Sequence, residues 1–473
     1  MTTISELAFE PLTSLAQGFA HHDFEPEDVL DSVVDNIHRK EKALHSFLYL
    51  VDEKSLRSEA QSASYKIRQG SAKKLAGLPF AVKDNTDVAG LPCTGGSKIL
   101  RDNVPLKDAH SVSRMRKEGA IILGKTNLDE MAAFGIATNN PHYGRTFNPW
   151  DLTRIPGGSS GGSAAAVSAG EAVASTGTDT GGSVRIPASF CNLVGLKPTF
   201  GRVGRSGTIS MCWSLDHFGF LTRTVRDAAF LLEIASGPDP HDSATIGSPE
   251  AASFIFQREP TLRGMKVGVF SNPISPSSDG VNGVFNKAIG KFSELGASTI
   301  DLALPDVDSM TPTIFAIALP EVAAYHEEWY KTKKDLYGEV LRGYVQLGHT
   351  VLATQYLKAQ RAKTIILERV IQRLRDCDVL LVPTAPAIAP KLDQDTIQIG
   401  GRDYPAFQVL TENTYPFNLL GLPTMSIPAG FSDGMPVGLQ IIATHWREDL
   451  IFKAGDAFQQ VTDHHRRRPE IPA

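Results

Sequence analysis

The chain has 473 residues, 42% of them hydrophobic and 21% charged, with a formal net charge of −5. Such a composition belongs to a globular protein with an ample core, and its mildly acidic balance without a basic block excludes an electrostatic footprint for nucleic acid. The longest apolar runs are too short to cross a bilayer, and Cys93, Cys191, Cys212 and Cys377 lack the paired spacing of a disulfide framework or a zinc site.

The opening "MTTISELAFEP" has neither a basic stretch nor a long apolar run, which predicts no secretory leader and a cytoplasmic protein. Helical periodicity starts at Pro26 in "PEDVLDSVVDNIHRKEKAL", acidic at its start and basic at its end as the helix dipole prefers. "FLYLV" then reads as a strand and residues 53–69 as a further helix. Short apolar runs follow, "LPFAVKD", "AIILGK", "KVGVF", "VLLVP" and "VGLQIIA", all read as strands. Between them helices are predicted over 108–118, 163–169, 224–236, 283–294, 350–375 and 448–461. Strands embedded among helices predict an α/β fold with a largely buried mixed sheet.

The Pro, Asp and Ser-rich stretch 238–262 reads as a surface excursion within one α/β unit rather than a domain boundary. Residues 314–356 carry Phe315, Tyr325, Trp329, Tyr330, Tyr337, Tyr344 and Tyr356. Aromatics at helical spacing are mostly core; the other reading is a wall of a substrate pocket.

Two motifs match a catalytic pattern by letter only. "GAIILGKT" from Gly119 to Thr126 fits the phosphate-binding loop G-x-x-x-x-G-K-[ST]. Its middle residues form an apolar strand run, so their N–H groups belong to a sheet ladder and not to a phosphate cradle. "GGSSG" from Gly157 to Gly161 fits the nucleophile elbow G-x-S-x-G, but "NPWDLTRIP" before it is no central strand. The histidines downstream (His217, His241, His326, His445) stand in no distinctive context.

The third constellation spans a hundred residues. Lys83 ends an apolar strand, "GGSSGG" supplies Ser159 and Ser160, and "GTDTGGSVRIP" places a glycine pair directly before Ser183. These are the parts of an acyl-transfer site without histidine: a hydroxyl nucleophile, a base that burial can neutralise, and glycines that let N–H groups approach an oxyanion. The plain alternative has Lys83 snorkelling to solvent and the serines in turns.

The sequence resembles the amidase signature family. The likeness runs nearly unbroken from Gly157 to Thr199 and extends through "AVKDN", "GKTNLDEMA", "NPW", "LDHFGFLTRTVRDAA", "GLPTMSIPAG" and "GMPVGLQIIA". It implies one domain over residues 1–473, a central mixed β-sheet flanked by helices on both sides, with residues 1–70 as a helical segment packed on it. It implies Ser183 as nucleophile, Ser159 on a cis peptide as bridging serine, and Lys83 as base. The implied oxyanion hole is the N–H groups of Thr180, Gly181, Gly182 and Ser183, with Ser160 supporting the triad. The reaction implied is hydrolysis of a small-molecule amide through an acyl-serine, without cofactor, metal, nucleic acid or membrane; a homodimer is left open.

One branch of that family, the glutamine-hydrolysing subunit of tRNA-dependent amidotransferases, shares the wording "PGGSSGGSAAAV". It carries an arginine and an aspartate for glutamine near positions that here hold Gly343–Tyr344 and Thr411, and it reads "GSDTGGSIRQP" where this chain has "GTDTGGSVRIP". Those departures favour a free-standing amidase for a less charged amide; the alternative is the glutamine-hydrolysing role within a tRNA-dependent amidotransferase. A scaffold that kept the fold without catalysis is the reading from outside enzymology.

Overall fold

A computed structural model describes residues 4–249, 253–254, 256–273 and 276–471. Eleven strands form one sheet. In chain order they are β1 (Phe47–Leu50), β2 (Pro79–Lys83), β3 (Ile121–Thr126), β4 (Ala174–Asp179), β5 (Val194–Lys197), β6 (His217–Thr222), β7 (Lys266–Phe270), β8 (Ser298–Leu302), β9 (Val379–Pro383), β10 (Thr424–Ser432) and β11 (Met435–Ile442). Across the sheet they lie in the order β1-β3-β2-β4-β6-β5-β10-β11-β9-β7-β8. Strands β3, β2 and β4 are mutually parallel, as are β9, β7 and β8, while the strands between them run antiparallel. The expected mixed α/β architecture is what the chain forms.

Both faces of the sheet are covered, and "VLLVP" shows how. Val379 and Leu381 of β9 pack into one hydrophobic cluster, whereas Leu380 and Val382 pack into another. Successive side chains of a strand point to opposite faces, so a strand buried on both sides needs an unbroken apolar run.

The N-terminal helices Leu12–His21, Pro26–Leu44 and Glu53–Arg68 pack at the β1 edge, placing Leu30, Val33 and Leu56 in the first cluster. The helix from Pro26 starts where the sequence predicts, with Glu25 and Asp28 forming a reciprocal capping box. The helix predicted over 283–294 begins earlier, at Asp279, because Ser278 caps it by accepting a bond from the Val281 N–H. Helix Val307–Lys333 is absent from the sequence-based reading: Pro312 and Pro320 lie inside it and break its pattern, yet Met310, Ile314, Ile317 and Val322 pack into the second cluster. Of the stretch 238–262, residues 250–252 and 255 lie outside the described residues; Phe254 packs edge-on against Phe452. No helix among the described residues is long and apolar enough to cross a membrane.

Candidate active site

The carboxyl ends of β2 and β4 lie side by side, in register at Phe80 with Ala174 and Ala81 with Ser175. Ligands of open α/β sheets gather beyond such ends. Alternation along β4 sends Thr176 and Thr178 to the same side, toward β2. Thr176 Oγ1 accepts the Lys83 backbone N–H at 3.2 Å, and Thr178 Oγ1 accepts from Lys83 Nζ at 2.9 Å.

Lys83 has no solvent exposure, and its Nζ also lies 2.8 Å from Ser159 Oγ. Burial pushes its pKa down to about 7, against the weaker upward pull of Asp129, Asp179 and Asp216. The snorkelling alternative fails, since the ammonium end reaches no solvent.

Ser159 follows a cis peptide bond with Gly158, in the loop that leads into helix Gly161–Ala169. Gly158 is a spatial necessity: a Cβ there would stand 2.2 Å from the Asp129 carboxylate. Asp129 is itself buried and is pushed up to about 6 by desolvation, although it accepts the N–H groups of Thr138 and Asn139. Ser160 ties the loop to the opposite one: its N–H donates to the Ser183 carbonyl at 3.1 Å and its hydroxyl to the Thr178 carbonyl at 3.3 Å.

The turn carrying Ser183 is held from beneath by Asp179. Its carboxylate accepts the N–H groups of Gly182 at 2.8 Å and Val184 at 3.1 Å, and is gripped by the Arg185 guanidinium through two 2.9 Å bonds. Burial would raise the Asp179 pKa, but Arg185 beside it prevails and holds it well below the usual carboxylate range. Asn418 completes the support by donating to the Asp179 carboxylate and carbonyl.

This corrects the expected oxyanion hole. The Gly182 N–H is spent on Asp179, so it is no free donor; the N–H groups of Thr180, Gly181 and Ser183 make no hydrogen bond among the described residues. The positive φ of Gly182, 122°, allows the turn to present those neighbours while its own N–H points inward. Thr178, Asp179 and Arg185 were missed in the sequence because each looks like an ordinary strand or helix residue until its partner is in place.

Ser183 and Gly158 line a narrow cavity of about 30 Å³ with Phe134, Ile186, Ile314 and Tyr415. The described lining holds no Lys, Arg, Asp or Glu. Thr411 lies on its wall, and Tyr344 stacks on Phe134 with ring centroids 3.8 Å apart. Of the aromatics between 314 and 356, Phe315 and Tyr344 therefore form a layer behind the pocket wall; Tyr325, Trp329 and Tyr337 cluster with His326. Both readings of that region hold in part.

A model of the family described as Amidase matches residues 28–452. This chain belongs to the amidase family. A glutamyl-tRNA(Gln) amidotransferase subunit from Roseiflexus castenholzii (strain DSM 13941 / HLO8) is 37% identical to this amidase over 472 residues, covering 94% of each chain. A solved chain from a vestigial protein complex, described as revealing the evolutionary origins of an s-triazine catabolic enzyme, superposes with a TM-score of 0.89 at 32% identity, over 95% of this chain and 98% of that one. The native peptide amidase of Stenotrophomonas maltophilia superposes at 0.84 and 26% identity, over 98% and 99%.

The two letter-matches resolve as strand and loop. Residues Ile121–Thr126 form a buried strand paired with β1 and β2, so the phosphate-loop pattern spends its N–H groups on the sheet. "GGSSG" follows an irregular segment rather than a strand.

Proposed function

We propose that this amidase hydrolyses a small, largely uncharged carboxamide through an acyl-enzyme on Ser183. The observation that carries the reading is a fully buried lysine whose amine meets two hydroxyls, Ser159 and Thr178, and no carboxylate within ion-pair distance among the described residues. A neutral Lys83 directs a proton at Thr178 and its lone pair at the Ser159 hydroxyl. Ser183 Oγ attacks the carbonyl carbon, its proton passing to Ser159 as the Ser159 proton passes to Lys83. The developing oxyanion takes the N–H groups of Thr180, Gly181 and Ser183. Reversal of the relay protonates the leaving nitrogen, and the C–N bond breaks. Water then enters along the same path, gives its proton to the relay and releases the acid.

The second reading, glutamine hydrolysis within a tRNA-dependent amidotransferase, is favoured by the names of curated relatives such as the R. castenholzii protein. Against it stands the pocket: glutamine's ammonium and carboxylate need charged partners, and burying them without any costs several kcal/mol. Thr411 and Tyr344 supply neither charge.

The purified chain alone is offered short apolar amides and glutamine, with and without chelator. Turnover of the apolar amides, unaffected by chelator, with little ammonia from glutamine is the expected result. Efficient ammonia release from glutamine, or copurification with partner subunits, would establish the second reading instead. Loss of activity to a chelator with recovery on adding zinc would remove the metal-free relay.

A further inference from the structure

A second cavity, of about 180 Å³, adjoins the narrow one; Thr180, Met211 and Ala132 line both. Its character is different. Asn85, Thr178, Thr208, Asp216 and His217 contribute polar groups to its wall. Two of these are unspent: His217 Nε2 and Thr208 Oγ1 are buried and meet no hydrogen-bond partner among the described residues. His217 is only 3% exposed, and its Nδ1 lies 2.6 Å from the Leu215 carbonyl. A carbonyl only accepts, so Nδ1 carries the ring proton and Nε2 is left as a bare acceptor. Burial, reinforced by nearby Lys197, holds the imidazole well below its ordinary pKa and therefore neutral. Leaving such an acceptor empty costs about 1–3 kcal/mol, and most buried polar atoms in folded proteins are paired.

The position of this cavity relative to the relay decides which half of a substrate it meets. Thr178 and Asn85, on its wall, are the groups that hold Lys83: Asn85 Nδ2 donates to Thr178 Oγ1 at 3.0 Å, and Lys83 Nζ donates to the same oxygen at 2.9 Å. The apolar cavity holds Ser183 itself. In the mechanism above, which this inference rests on, Lys83 and Ser159 return the proton to the leaving nitrogen. That nitrogen thus faces the Lys83 side, while the acyl carbon stays with Ser183.

We infer that the polar cavity is the subsite for the amine half of the substrate, and that His217 Nε2 and Thr208 Oγ1 select amines carrying further N–H or O–H donors. The subsite is large enough for a carboxamide-sized substituent and too acceptor-rich to favour an alkyl one. The preferred substrate is then an amide with an apolar acyl group and a hydrogen-bond-donating amine.

Two butyramides with near-isosteric amine halves test this: N-butyryl-glycinamide, whose terminal amide offers donors, and N-isobutyl butyramide, which offers none. Butyramide itself, measured in the same preparations, normalises for folding and for the relay. In the wild-type protein kcat/KM should favour the glycinamide about tenfold, the worth of roughly one hydrogen bond. His217→Phe and the more conservative Thr208→Val should each lower that ratio several-fold toward unity. The ratio of butyramide to hexanamide, which differ only in the acyl group, should follow the apolar cavity and not these two residues. A wild-type ratio of one or below, or variants that move the acyl ratio instead of the amine ratio, would overturn the inference. Failure of every amide, butyramide included, would instead bring down the proposed hydrolysis and the inference with it.

Discussion

Lys83 ends β2, and Lys125 lies one residue from the end of β3 beside it, in register with Val82; neither has any solvent exposure. Lys125 Nζ lies 3.2 Å from the Asp84 carboxylate and donates to the Pro92 carbonyl at 3.1 Å. Lys83 Nζ has hydroxyl partners only. A carboxylate in contact keeps an ammonium charged and turns the residue into a tie between segments; hydroxyls can stabilise either form, so burial decides and favours the neutral amine. One strand apart, the same residue type becomes a cross-link in one place and a base in the other. The partner makes the difference, and the partner comes from the loops.

Substitutions can break this contrast most severely at the nucleophile that the Lys83 side serves. Ser183→Ala should abolish turnover and covalent labelling by a phosphonate together, a loss well beyond the ~10²–10³ typical of one oxyanion donor. Ser159→Ala keeps the nucleophile but cuts its proton path, so slow residual labelling at Ser183 should persist. Peptide mapping of the labelled protein reads this directly, and a wild-type label on Ser159 or Ser160 would reverse the assignments.

The lysine pair itself comes next. Lys83→Met should lower amide kcat by about 10²–10⁴, the usual worth of general acid–base catalysis, and ester turnover by less, because an alkoxide leaving group depends less on protonation. It should also raise the melting temperature, since a desolvated amine is replaced by a side chain suited to the core. Lys125→Met should do the reverse. It leaves Asp84 buried without its partner, which costs about 3–5 kcal/mol, yet the protein that remains folded should keep its amide kcat. Parallel thermal melts and rates on both variants test the contrast; two variants that behave alike would dissolve it.

How far the sequence foretells this contrast differs by level. The apolar runs around Lys83 and Lys125 read as buried strands, and the chain from Pro26 to Leu44 reads as a helix to the residue. Family resemblance then carries Lys83, Ser159 and Ser183 to one place. What stays hidden is direction: nothing in "GTDTGG" says that Thr178 faces Lys83 while Asp179 turns under the loop to take the Gly182 N–H. Helix Val307–Lys333 is hidden for another reason. Its two prolines argue against a helix locally, and the packing of Met310, Ile314 and Ile317 against the sheet outweighs them.

A smaller effect is expected from pH. Lys83 must be neutral to accept a proton, and its pKa is pushed down to about 7. Below that value the ammonium form dominates and acylation should fall about tenfold per pH unit; above it the rate should level off. The limb should appear in kcat/KM for amides measured over pH 5–9. A flat profile through neutrality would mean that the amine is charged throughout, like a lysine paired to a carboxylate, and the comparison with Lys125 would lose its basis.

The subtlest test changes the partner and leaves the lysine in place. Thr178 Oγ1 accepts bonds from both Lys83 Nζ and Asn85 Nδ2. A hydroxyl oxygen binds an ammonium donor more strongly than a neutral amine donor, because charge-assisted bonds are roughly twice as strong. Thr178→Val keeps the shape and removes that acceptor, so the charged form loses more than the neutral one and the Lys83 pKa should fall further. With a difference of about 1 kcal/mol between the two bonds, the acidic limb should move down by somewhat under one pH unit. The plateau should drop at the same time, by several-fold, since Thr178 no longer orients the amine toward Ser159. Lower maximal activity with activity retained at more acidic pH is an outcome that a merely structural role for Thr178 would not produce. A lowered plateau with an unmoved limb would assign Thr178 to packing alone, and a limb shifted upward would mean that the hydroxyl serves the neutral amine rather than the ammonium.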